Sequence, residues 1–440
     1  MNKNAQHIQL LKGFRDYLPS DALPLVELMR RVERVFRLYG FAPLMTPVLE
    51  YADLLTGKYG PEADKLMYKF VDHGGRAVAM RYDHTVPLAR VIANNQNLPM
   101  PFKRYILAPV WRADKPQRGR LREFYQCDVD IVGSDQARAD AELLAVAHDL
   151  LMSLGITKFG IQVNHRGILD ALVRTVGVAK TQVGGVFHAI DKFPKFGEET
   201  FVKDTAALGL TSEQTDTLLK LISGSSSGDE MLGKLRTLLA DDKAGLAAVD
   251  ELAAIVEHAH ALGVPDTHLN VDLKIVRGLD YYTGMVVETV IADLPLYGSV
   301  FGGGRYDALI GQFAGKKVPA VGISFGLGRL FEALSELKLL PAVAPAARVM
   351  VALFEDGDAK SVEQIAQALR KHDVTTEIFL GHPGKIEKQL KYADKRGIPW
   401  VVWQGAKEKK KSLIAAKHLA TRAQVELTLD QLITKIQELA

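Results

Sequence analysis

The chain has 440 residues, of which 48% are hydrophobic and 24% are charged. This length predicts about three domains, and the composition excludes a disordered or collagen-like chain. A single cysteine, Cys127, excludes an intrachain disulfide framework and a multi-cysteine metal site. The 55 basic and 52 acidic residues leave a net charge of +3, which by itself does not indicate nucleic-acid binding.

No apolar stretch reaches the roughly 18 residues of a membrane helix. The first 18 residues are too polar and interrupted for a signal peptide. Because a single cysteine also favours a reducing environment, we expect a cytoplasmic protein with no membrane partner.

The first predicted element is an amphipathic helix that ends at Gly40. Its apolar residues recur every three or four positions, and charged residues fill the other side. The apolar positions are Leu28, Val32, Val35, Phe36 and Tyr39.

Residues 104–133 read as two strands around a charged loop, 115–120. Alternation in the second strand places Arg122, Phe124, Gln126, Asp128 and Asp130 on one side and apolar residues on the other. A half-buried strand with one solvated face explains this pattern equally well. The neighbouring arginines favour a pocket for a planar, anionic ligand. These arginines are Arg112, Arg118, Arg120 and Arg122.

Three later segments have recognisable composition. Residues 172–263 have helical spacing interrupted by a Ser/Gly stretch at 223–228, and we interpret them as a helical insertion. Glycine-rich motifs at 277–284 and 301–307 favour close approach of the backbone to a ligand, although a bulge or hairpin explains the glycines alone. Alternate small residues at 322–328 fit either a flat ligand or close packing of the sheet against a helix.

The C-terminal part is separated by a Pro/Ala-rich linker and shows alternating strands and helices. Ten basic and three acidic residues between Lys385 and Lys417 give +7 over 33 residues. We therefore expect one domain formed by 1–171 and 264–335, the insertion at 172–263, a linker at 336–346 and an α/β domain at 347–440.

Several of these motifs resemble those of class II aminoacyl-tRNA synthetases. Residues 12–16 and 46–50 resemble motif 1, residues 112–133 motif 2 and residues 322–330 motif 3. The segments 277–282 and 303–307 resemble two signatures of the histidyl-tRNA synthetase family, and the tail resembles its anticodon-binding domain. The resemblance implies an α+β catalytic domain on a mostly antiparallel sheet, with the helical insertion and the C-terminal α/β anticodon-binding domain.

The resemblance also implies the substrates and the residues that bind them. It implies a histidine–tRNA ligase that uses ATP and Mg²⁺, with Mg²⁺ held mainly by the ATP phosphates rather than by a protein metal site. Arg112 and Arg277 are the implied catalytic residues. The implied ATP-binding residues are Arg112, Asp114, Arg120, Phe124 and Arg329. The implied histidine-binding residues are Asp83, Thr85, Gln126, Asp130, Arg277, Tyr281, Tyr282 and Tyr306.

The implied partners are tRNA(His), L-histidine and a second copy of the chain, with no DNA partner. Gln117, Arg118, Lys385, Lys388 and Lys391 are candidate tRNA contacts. Asp83 and Asp130 stand where many bacterial members of the family have Glu, and this departure resembles the eukaryote-like branch. Two alternatives remain: a catalytically inactive relative, such as a regulatory subunit for histidine biosynthesis, and a class II synthetase for another amino acid.

Overall fold

The computed structural model describes residues 9–58, 61–116, 119–223, 228–276, 281–353 and 359–438. The chain forms two compact units, Met1–Pro341 and Ala342–Ala440. None of the helices within the described ranges is long and apolar enough to cross a membrane.

The N-terminal part of the first unit begins with the predicted amphipathic helix. This helix buries Leu28, Val32, Val35 and Phe36, and Gly40 follows it with a φ of +74°. The elements in this part are α1 (Pro19–Leu38), β1 (Ala42–Pro43), β2 (Leu49–Tyr51), α2 (Ala52–Leu55), α3 (Pro61–Lys65), β3 (Lys69–Val71), β4 (Ala77–Met80) and α4 (Thr85–Asn94). Strands β2, β4 and β3 form a small antiparallel sheet in that order.

Among the residues that the structure describes, the remaining elements of the first unit are strands of the main sheet and eight α-helices, five of which follow one another between β7 and β8. They are β5 (Phe102–Trp111), β6 (Glu123–Val132), α5 (Ala137–Ser153), β7 (Phe159–His165), α6 (Arg166–Thr175), α7 (Val183–Ala207), α8 (Ser212–Ser223), α9 (Gly228–Leu238), α10 (Lys243–Ala261), β8 (Leu269–Val271), β9 (Met285–Ile291), β10 (Ser299–Arg305), α11 (Asp307–Ala314), β11 (Ala320–Gly326) and α12 (Leu327–Glu336).

The main sheet has the strand order β1-β5-β6-β11-β10-β9-β7-β8 in the described part of the chain. Its interior pairings are antiparallel, and only the two edge pairings, β1 with β5 and β7 with β8, are parallel. This confirms the expected mostly antiparallel sheet. Alternation along β6 sends Cys127, Val129 and Ile131 into a core shared with α1, α5, α10 and α12. The opposite side of β6 is therefore left for polar side chains.

The helices predicted as an insertion have two different packing partners. Residues of α9 and α10, such as Leu235 and Leu252, belong to the main core under the sheet. Helices α7 and α8 instead share a separate core with α6, built around Phe187, Phe201 and Leu218. The helices within 172–263 therefore do not all pack together, since α9 and α10 belong to the main core. The boundaries 172 and 263 of the insertion remain a prediction.

The second unit confirms the predicted alternation and adds a terminal hairpin. Its elements are β12 (Val349–Val351), α13 (Ala359–Lys371), β13 (Thr376–Ile378), α14 (Ile386–Lys395), β14 (Trp400–Trp403), α15 (Ala406–Lys410), β15 (Ile414–His418), β16 (Gln424–Leu427) and α16 (Leu429–Glu438). The strand order is β13-β12-β14-β15-β16, with β12 parallel to both of its neighbours. Val349 and Val351 face the core of α13 and α16, whereas Met350 faces the side of α14.

Candidate active site

The sheet brings eight of the predicted histidine and ATP residues into one pocket. Backbone of β10 and β11 completes its wall, together with Asp128 and Ser324, which the predicted site did not include. The eight predicted residues that line it are Asp83, Thr85, Arg112, Gln126, Asp130, Tyr281, Tyr282 and Tyr306. Residues 130 and 306 are far apart in the chain, and they meet because β6, β11 and β10 are neighbours in the sheet.

Asp130 lies at the buried end of this pocket between two partners. Arg104 Nη2 is 2.7 Å from Asp130 Oδ2, and Tyr306 donates its hydroxyl proton to Oδ1. The three side chains are nearly inaccessible to solvent. Burial raises the pKa of Asp130, whereas the positive charge of Arg104 and the hydrogen bond from Tyr306 act in the opposite direction.

Arg104 is a functional candidate that the sequence analysis missed. It lies directly opposite Asp130 in the antiparallel pairing of β5 with β6. Aligning the two predicted strands about the loop at 115–120 would have indicated this pairing, because cross-strand neighbours lie at equal distances from the turn.

Gly322 in β11 makes room for the carboxylate of Asp130. Gly322 pairs with Asp130 across the sheet, and an added Cβ at 322 would lie 2.0 Å from Asp130 Oδ1. The small residue at position 322 therefore accommodates the side chain of Asp130. From the sequence alone, we relate the small residues at 322–328 to a flat ligand or to packing against a helix. Gly303 on β10 is similarly restricted, because an added Cβ would meet the Gly322 carbonyl oxygen at 2.1 Å.

The start of α4 supplies the next part of the pocket. Asp83 Oδ1 accepts hydrogen bonds from the backbone N–H groups of Thr85 (3.0 Å) and Val86 (3.3 Å). The intervening His84 is buried, with its Nε2 3.2 Å from the Ala108 carbonyl oxygen. Burial holds the pKa of His84 well below its usual value, which favours the neutral form of the ring.

Arg112 lines the pocket and lies beside two aromatic rings. Its Nε donates to the Tyr82 carbonyl oxygen at 3.0 Å, and its guanidinium lies 4.3 Å from the Tyr82 ring centroid and 5.3 Å from that of Phe124. Phe124 itself lines a second cavity together with Gly119 and Gly328. The contact between Arg112 and Phe124 therefore connects one lining residue of each cavity.

The other predicted ATP residues lie outside the lining of the Asp130 pocket. Arg120 Nε pairs with Asp114 Oδ2 at 3.1 Å, and Arg329 Nη1 donates to the Ser299 carbonyl oxygen at 2.8 Å. An added Cβ at Gly119 would lie 3.9 Å from Arg329 Cγ, so the loop before β6 and the start of α12 are in proximity.

Three predicted residues, Gln117, Arg118 and Arg277, lie outside the described residues. Convergence of Arg277 with Arg112, Arg120 and Arg329 on one triphosphate therefore remains a prediction.

The two tyrosines before β9 form one aromatic wall. The hydroxyl of Tyr281 donates to that of Tyr282 at 3.0 Å, and their ring centroids are 4.3 Å apart. Gly304 approaches this wall so closely that an added Cβ would lie 3.0 Å from Tyr282 Cδ1. Burial holds the pKa of Tyr281 well above its usual value, so its hydroxyl remains protonated.

A second buried ion pair supports β10 next to Tyr306. Arg305 donates to both oxygens of Asp140 on α5 and to the Ser134 carbonyl oxygen at 2.9 Å. It also contacts Asp307 Oδ1 at 3.3 Å. The ion pair of Arg305 with Asp140 was not predicted, because no local sequence pattern connects residue 140 with residue 305.

The predicted tRNA lysines lie together on the surface of the second unit. Lys385 immediately precedes α14, and Lys388 and Lys391 follow on exposed positions of that helix. The buried residues of α14 are Gln389 and Ala393. The lysines therefore lie away from the side of the helix that packs against the sheet.

A mostly antiparallel sheet that places Arg112, Gln126 and the glycines of β11 around one pocket has the organisation of a class II aminoacyl-tRNA synthetase catalytic domain. Two family models match the chain, one described as histidyl-tRNA synthetase over residues 13–330 and one as an anticodon-binding domain over residues 348–439. The chain belongs to the histidyl-tRNA synthetase family, and it is an ATP-dependent aminoacyl-tRNA synthetase of the histidine–tRNA ligase type.

Similar proteins from distant organisms cover nearly the whole chain. A histidine–tRNA ligase of Rhodopirellula baltica is 41% identical over 94% of this chain and 93% of its own length. One from Aeropyrum pernix is 38% identical over 97% of both chains. The crystal structure of histidyl-tRNA synthetase from Nostoc sp. PCC 7120 matches with a TM-score of 0.88 and 31% identity, covering 99% of this chain and 100% of that one.

Proposed function

We propose that the pocket around Asp130 binds L-histidine and that the chain uses it for both steps of aminoacylation. In the first step, an oxygen of the histidine carboxylate attacks the α-phosphorus of ATP, and the bond to the leaving pyrophosphate breaks. In the second, a hydroxyl of the 3′-terminal ribose of tRNA(His) attacks the histidyl carbonyl carbon, and AMP leaves. The observation that carries the proposal is the buried set of Arg104, Asp130 and Tyr306 at the end of a pocket that also contains Arg112.

Asp130 would accept a hydrogen bond from the imidazole N–H of histidine, with Tyr281, Tyr282 and Tyr306 around the ring. Asp83, Thr85 and Gln126 would bind the amino and carboxylate end. An amino acid without a ring N–H would not supply this hydrogen bond, and the buried Asp130 carboxylate would keep Arg104 and Tyr306 but lose the donor of the substrate, which disfavours that amino acid. Selection of histidine then follows from the polarity of the pocket as well as from its size.

The arginines would neutralise the triphosphate. Arg112 would bind the α-phosphate, Arg329 the γ-phosphate and Arg277 the charge that develops during attack, with Phe124 stacked on adenine. The pair of Asp114 and Arg120 would complete the ATP site. Fixed guanidiniums stabilise such charge without reorganisation, because they remain charged and oriented throughout the reaction.

Mg²⁺ would be held mainly by the phosphate oxygens of ATP. Within the described ranges, no cluster of three or more His, Cys, Asp or Glu side chains is placed to hold a metal ion. The residues present therefore offer no protein metal cage there, and the arginines supply the protein's share of charge neutralisation. When bound, the ion supplies Lewis-acid polarisation of the phosphates.

The tRNA would be bound at two places. The C-terminal unit, which matches an anticodon-binding domain, would contact the anticodon stem and loop through Lys385, Lys388 and Lys391. Gln117 and Arg118, in the loop between β5 and β6, would contact the acceptor end. A cytoplasmic location follows from these substrates, since aminoacylated tRNA is consumed by translation there.

We also propose a homodimer that forms through α1 and the strand region that follows it. Exposed apolar side chains in this region support the proposal, because contiguous exposed apolar surface is typical of protein interfaces. They include Val26, Leu38, Met45, Val48 and Leu49.

The deciding experiment is exchange of labelled pyrophosphate into ATP with each of the twenty amino acids. We expect exchange that depends on histidine and that falls strongly in Asp130→Asn, whose amide presents an extra donor to the pocket. Exchange with proline or threonine instead of histidine would reject the specificity, and no exchange at all would favour an inactive relative.

Arg277 can be tested separately from the rest of the pocket. Arg277→Ala is expected to slow histidine-dependent pyrophosphate exchange by on the order of 10²- to 10³-fold, because one preorganised charge-stabilising group is lost. Binding of tRNA, measured by filter retention, should be nearly unchanged. A normal exchange rate in this variant would remove Arg277 from the mechanism.

A further inference from the structure

Three buried oxygen atoms of the pocket lack hydrogen-bond partners among the described residues, and one of them, Asp130 Oδ2, is compensated by its ion pair with Arg104. The other two are Gln126 Oε1 and Asp128 Oδ1. Their side chains are two residues apart on β6, so they project from the same face of the strand, and both line the pocket. Asp128 is only 4% exposed. Because buried acceptors are nearly always paired in folded proteins, these two indicate donors that arrive with a ligand.

Ser324 on β11 orients both side chains. Gln126 Nε2 donates to Ser324 Oγ at 2.7 Å, and the Ser324 hydroxyl donates to the Asp128 carboxylate. A hydroxyl has one proton, and here Asp128 receives it, so the bond to Gln126 must use the amide N–H. The side-chain carbonyl oxygen of Gln126 is therefore an unused acceptor beside the carboxylate of Asp128.

The charges around Asp128 favour a cation. Asp83 Oδ1 is already the acceptor for two backbone N–H groups, and Asp130 is paired with Arg104. Among the described residues, Asp128 accepts the Ser324 hydroxyl, and Arg104 and Arg81 interact with it through their charges. Burial, together with the nearby charges of Asp130 and Asp83, raises its pKa to about 7, although Arg104 opposes the shift. A buried carboxylate in this environment is stabilised when a positive charge binds beside it.

We propose that Asp128 is the counter-ion of the substrate's α-ammonium group, with Gln126 Oε1 accepting a second N–H and Ser324 positioning both side chains. An ammonium group has three N–H donors, whereas a neutral imidazole ring has one, so the ammonium matches two adjacent acceptors better. The inference rests on the proposed function and adds Asp128 and Ser324 to the amino acid site.

The test compares two ligands that differ only in the ammonium group. L-histidine and 3-(imidazol-4-yl)propionate, which lacks it, are titrated by calorimetry into the full-length wild type and Asp128→Asn. Loss of the counter-ion is expected to weaken histidine binding by about 30-fold or more, since removing one partner of a buried charge pair has an effect of this size. The affinity for the propionate should change by less than about threefold, because the propionate has no ammonium group that Asp128 could bind. An equal loss for both ligands would overturn the proposal.

Two further variants complete the test. Thr289→Val is the matched control, because the Thr289 hydroxyl on β9 is also buried without a partner but does not line the pocket. It should bind both ligands like the wild type. Ser324→Ala keeps Asp128 and is expected to reduce the preference for histidine over the propionate by about tenfold. If Asp128→Asn does not fold, an unchanged preference in Ser324→Ala overturns the proposal.

Wild-type pyrophosphate exchange separates this inference from the proposed function. Absence of histidine-dependent exchange would reject the function itself. Histidine-dependent exchange combined with equal losses for the two ligands would reject only the role of Asp128.

Discussion

The buried carboxylate of Asp130 contacts the guanidinium of Arg104 and the phenol of Tyr306, and the two partners stabilise it in different ways. Arg104 compensates the buried negative charge at 2.7 Å, whereas Tyr306 contributes a hydrogen bond without changing the net charge. Removing the cation leaves an uncompensated buried charge, which is more costly than the loss of the pair as a whole. The stability of the fold and the proposed selection of histidine therefore both depend on this residue.

Arg104→Met should lower the free energy of unfolding by about 3–5 kcal/mol, because Asp130 remains buried without its counter-ion. Urea denaturation followed by circular dichroism measures this change. The double variant Arg104→Met/Asp130→Asn should be less destabilised than the single variant.

An exposed ion pair provides the comparison for Arg104. Lys158 Nζ lies 3.4 Å from Asp293 Oδ1 at the surface, and Lys158→Met should cost less than about 1 kcal/mol. Similar losses in Arg104→Met and Lys158→Met would contradict the importance of burial.

The binding of histidine should depend on pH through Asp128. Its pKa is raised to about 7, chiefly by burial and by the charges of Asp130 and Asp83, against the opposing effects of Arg104 and the Ser324 hydrogen bond. Because an ammonium group binds the ionised carboxylate, the KM for histidine should rise as the pH falls below 7 and level off above it.

Steady-state exchange kinetics between pH 5.5 and 8.5 measure this dependence. The imidazole of free histidine titrates in the same range, so the informative quantity is the difference between the wild-type profile and that of Asp128→Asn. Arg81 also interacts with Asp128, but it remains charged over this range. Parallel profiles for the two enzymes would exclude titration of Asp128.

At the scale of elements, the geometry of the pocket depends on close approach between β6 and β11. Gly322 faces Asp130, and Ser324 faces Asp128 in the same pairing. The period of two along both strands places one small residue of β11 opposite each functional side chain of β6. The alternating small residues of β11 therefore belong to the part of the pocket that contains the carboxylates of Asp128 and Asp130.

Gly322→Ala should lower histidine-dependent exchange by about 100-fold or more, because its Cβ would lie 2.0 Å from Asp130 Oδ1 and displace the carboxylate. The control is Gly233→Ala on α9, where an added Cβ meets nothing within 4 Å. That control should retain full exchange and gain up to about 1 kcal/mol from improved helix propensity. Normal exchange in Gly322→Ala would mean that the strands can separate without loss of function.

Local sequence patterns predicted several elements well. The hydrophobic period of α1, the two-sided strand β6 and the alternation of strands and helices in the second unit appear in the structure where they were expected. Short-range periodicity determined these elements, because each buries one continuous apolar face. The terminal hairpin of β15 and β16 was missed. Charged residues interrupt its short strands, and β16 is mostly exposed.

At the scale of the whole molecule, positive charge is concentrated in the unit that matches an anticodon-binding domain. The lysines at 385, 388 and 391 are exposed, whereas the functional arginines at 104 and 112 are buried or half-buried. Exposed lysines can bind phosphates through screened, salt-sensitive contacts, whereas buried arginines act within a protected site. Binding of tRNA and activation of histidine should therefore respond differently to salt.

Replacing Lys385, Lys388 and Lys391 with Ala should reduce the salt dependence of tRNA binding by about 0.7 log units per lost phosphate contact. Filter binding between 50 and 300 mM salt measures the slope, and histidine-dependent exchange should be unchanged. The matched control replaces Lys360, Lys371 and Lys435 on α13 and α16 of the same unit. An equal change of slope in both triple variants would mean that net charge matters and the position of the lysines does not.

The sequence by itself determined the family-specific motifs, the two-sided strand β6 and the amphipathic helix α1. These features depend on residues close together in the chain, whose spacing directly reflects the period of a helix or a strand. Only the tertiary structure decided that Arg104 faces Asp130, that Ser324 orients Gln126 and Asp128, and that Arg305 pairs with Asp140. Strand order and register determine these contacts, because they bring together side chains that no local pattern relates.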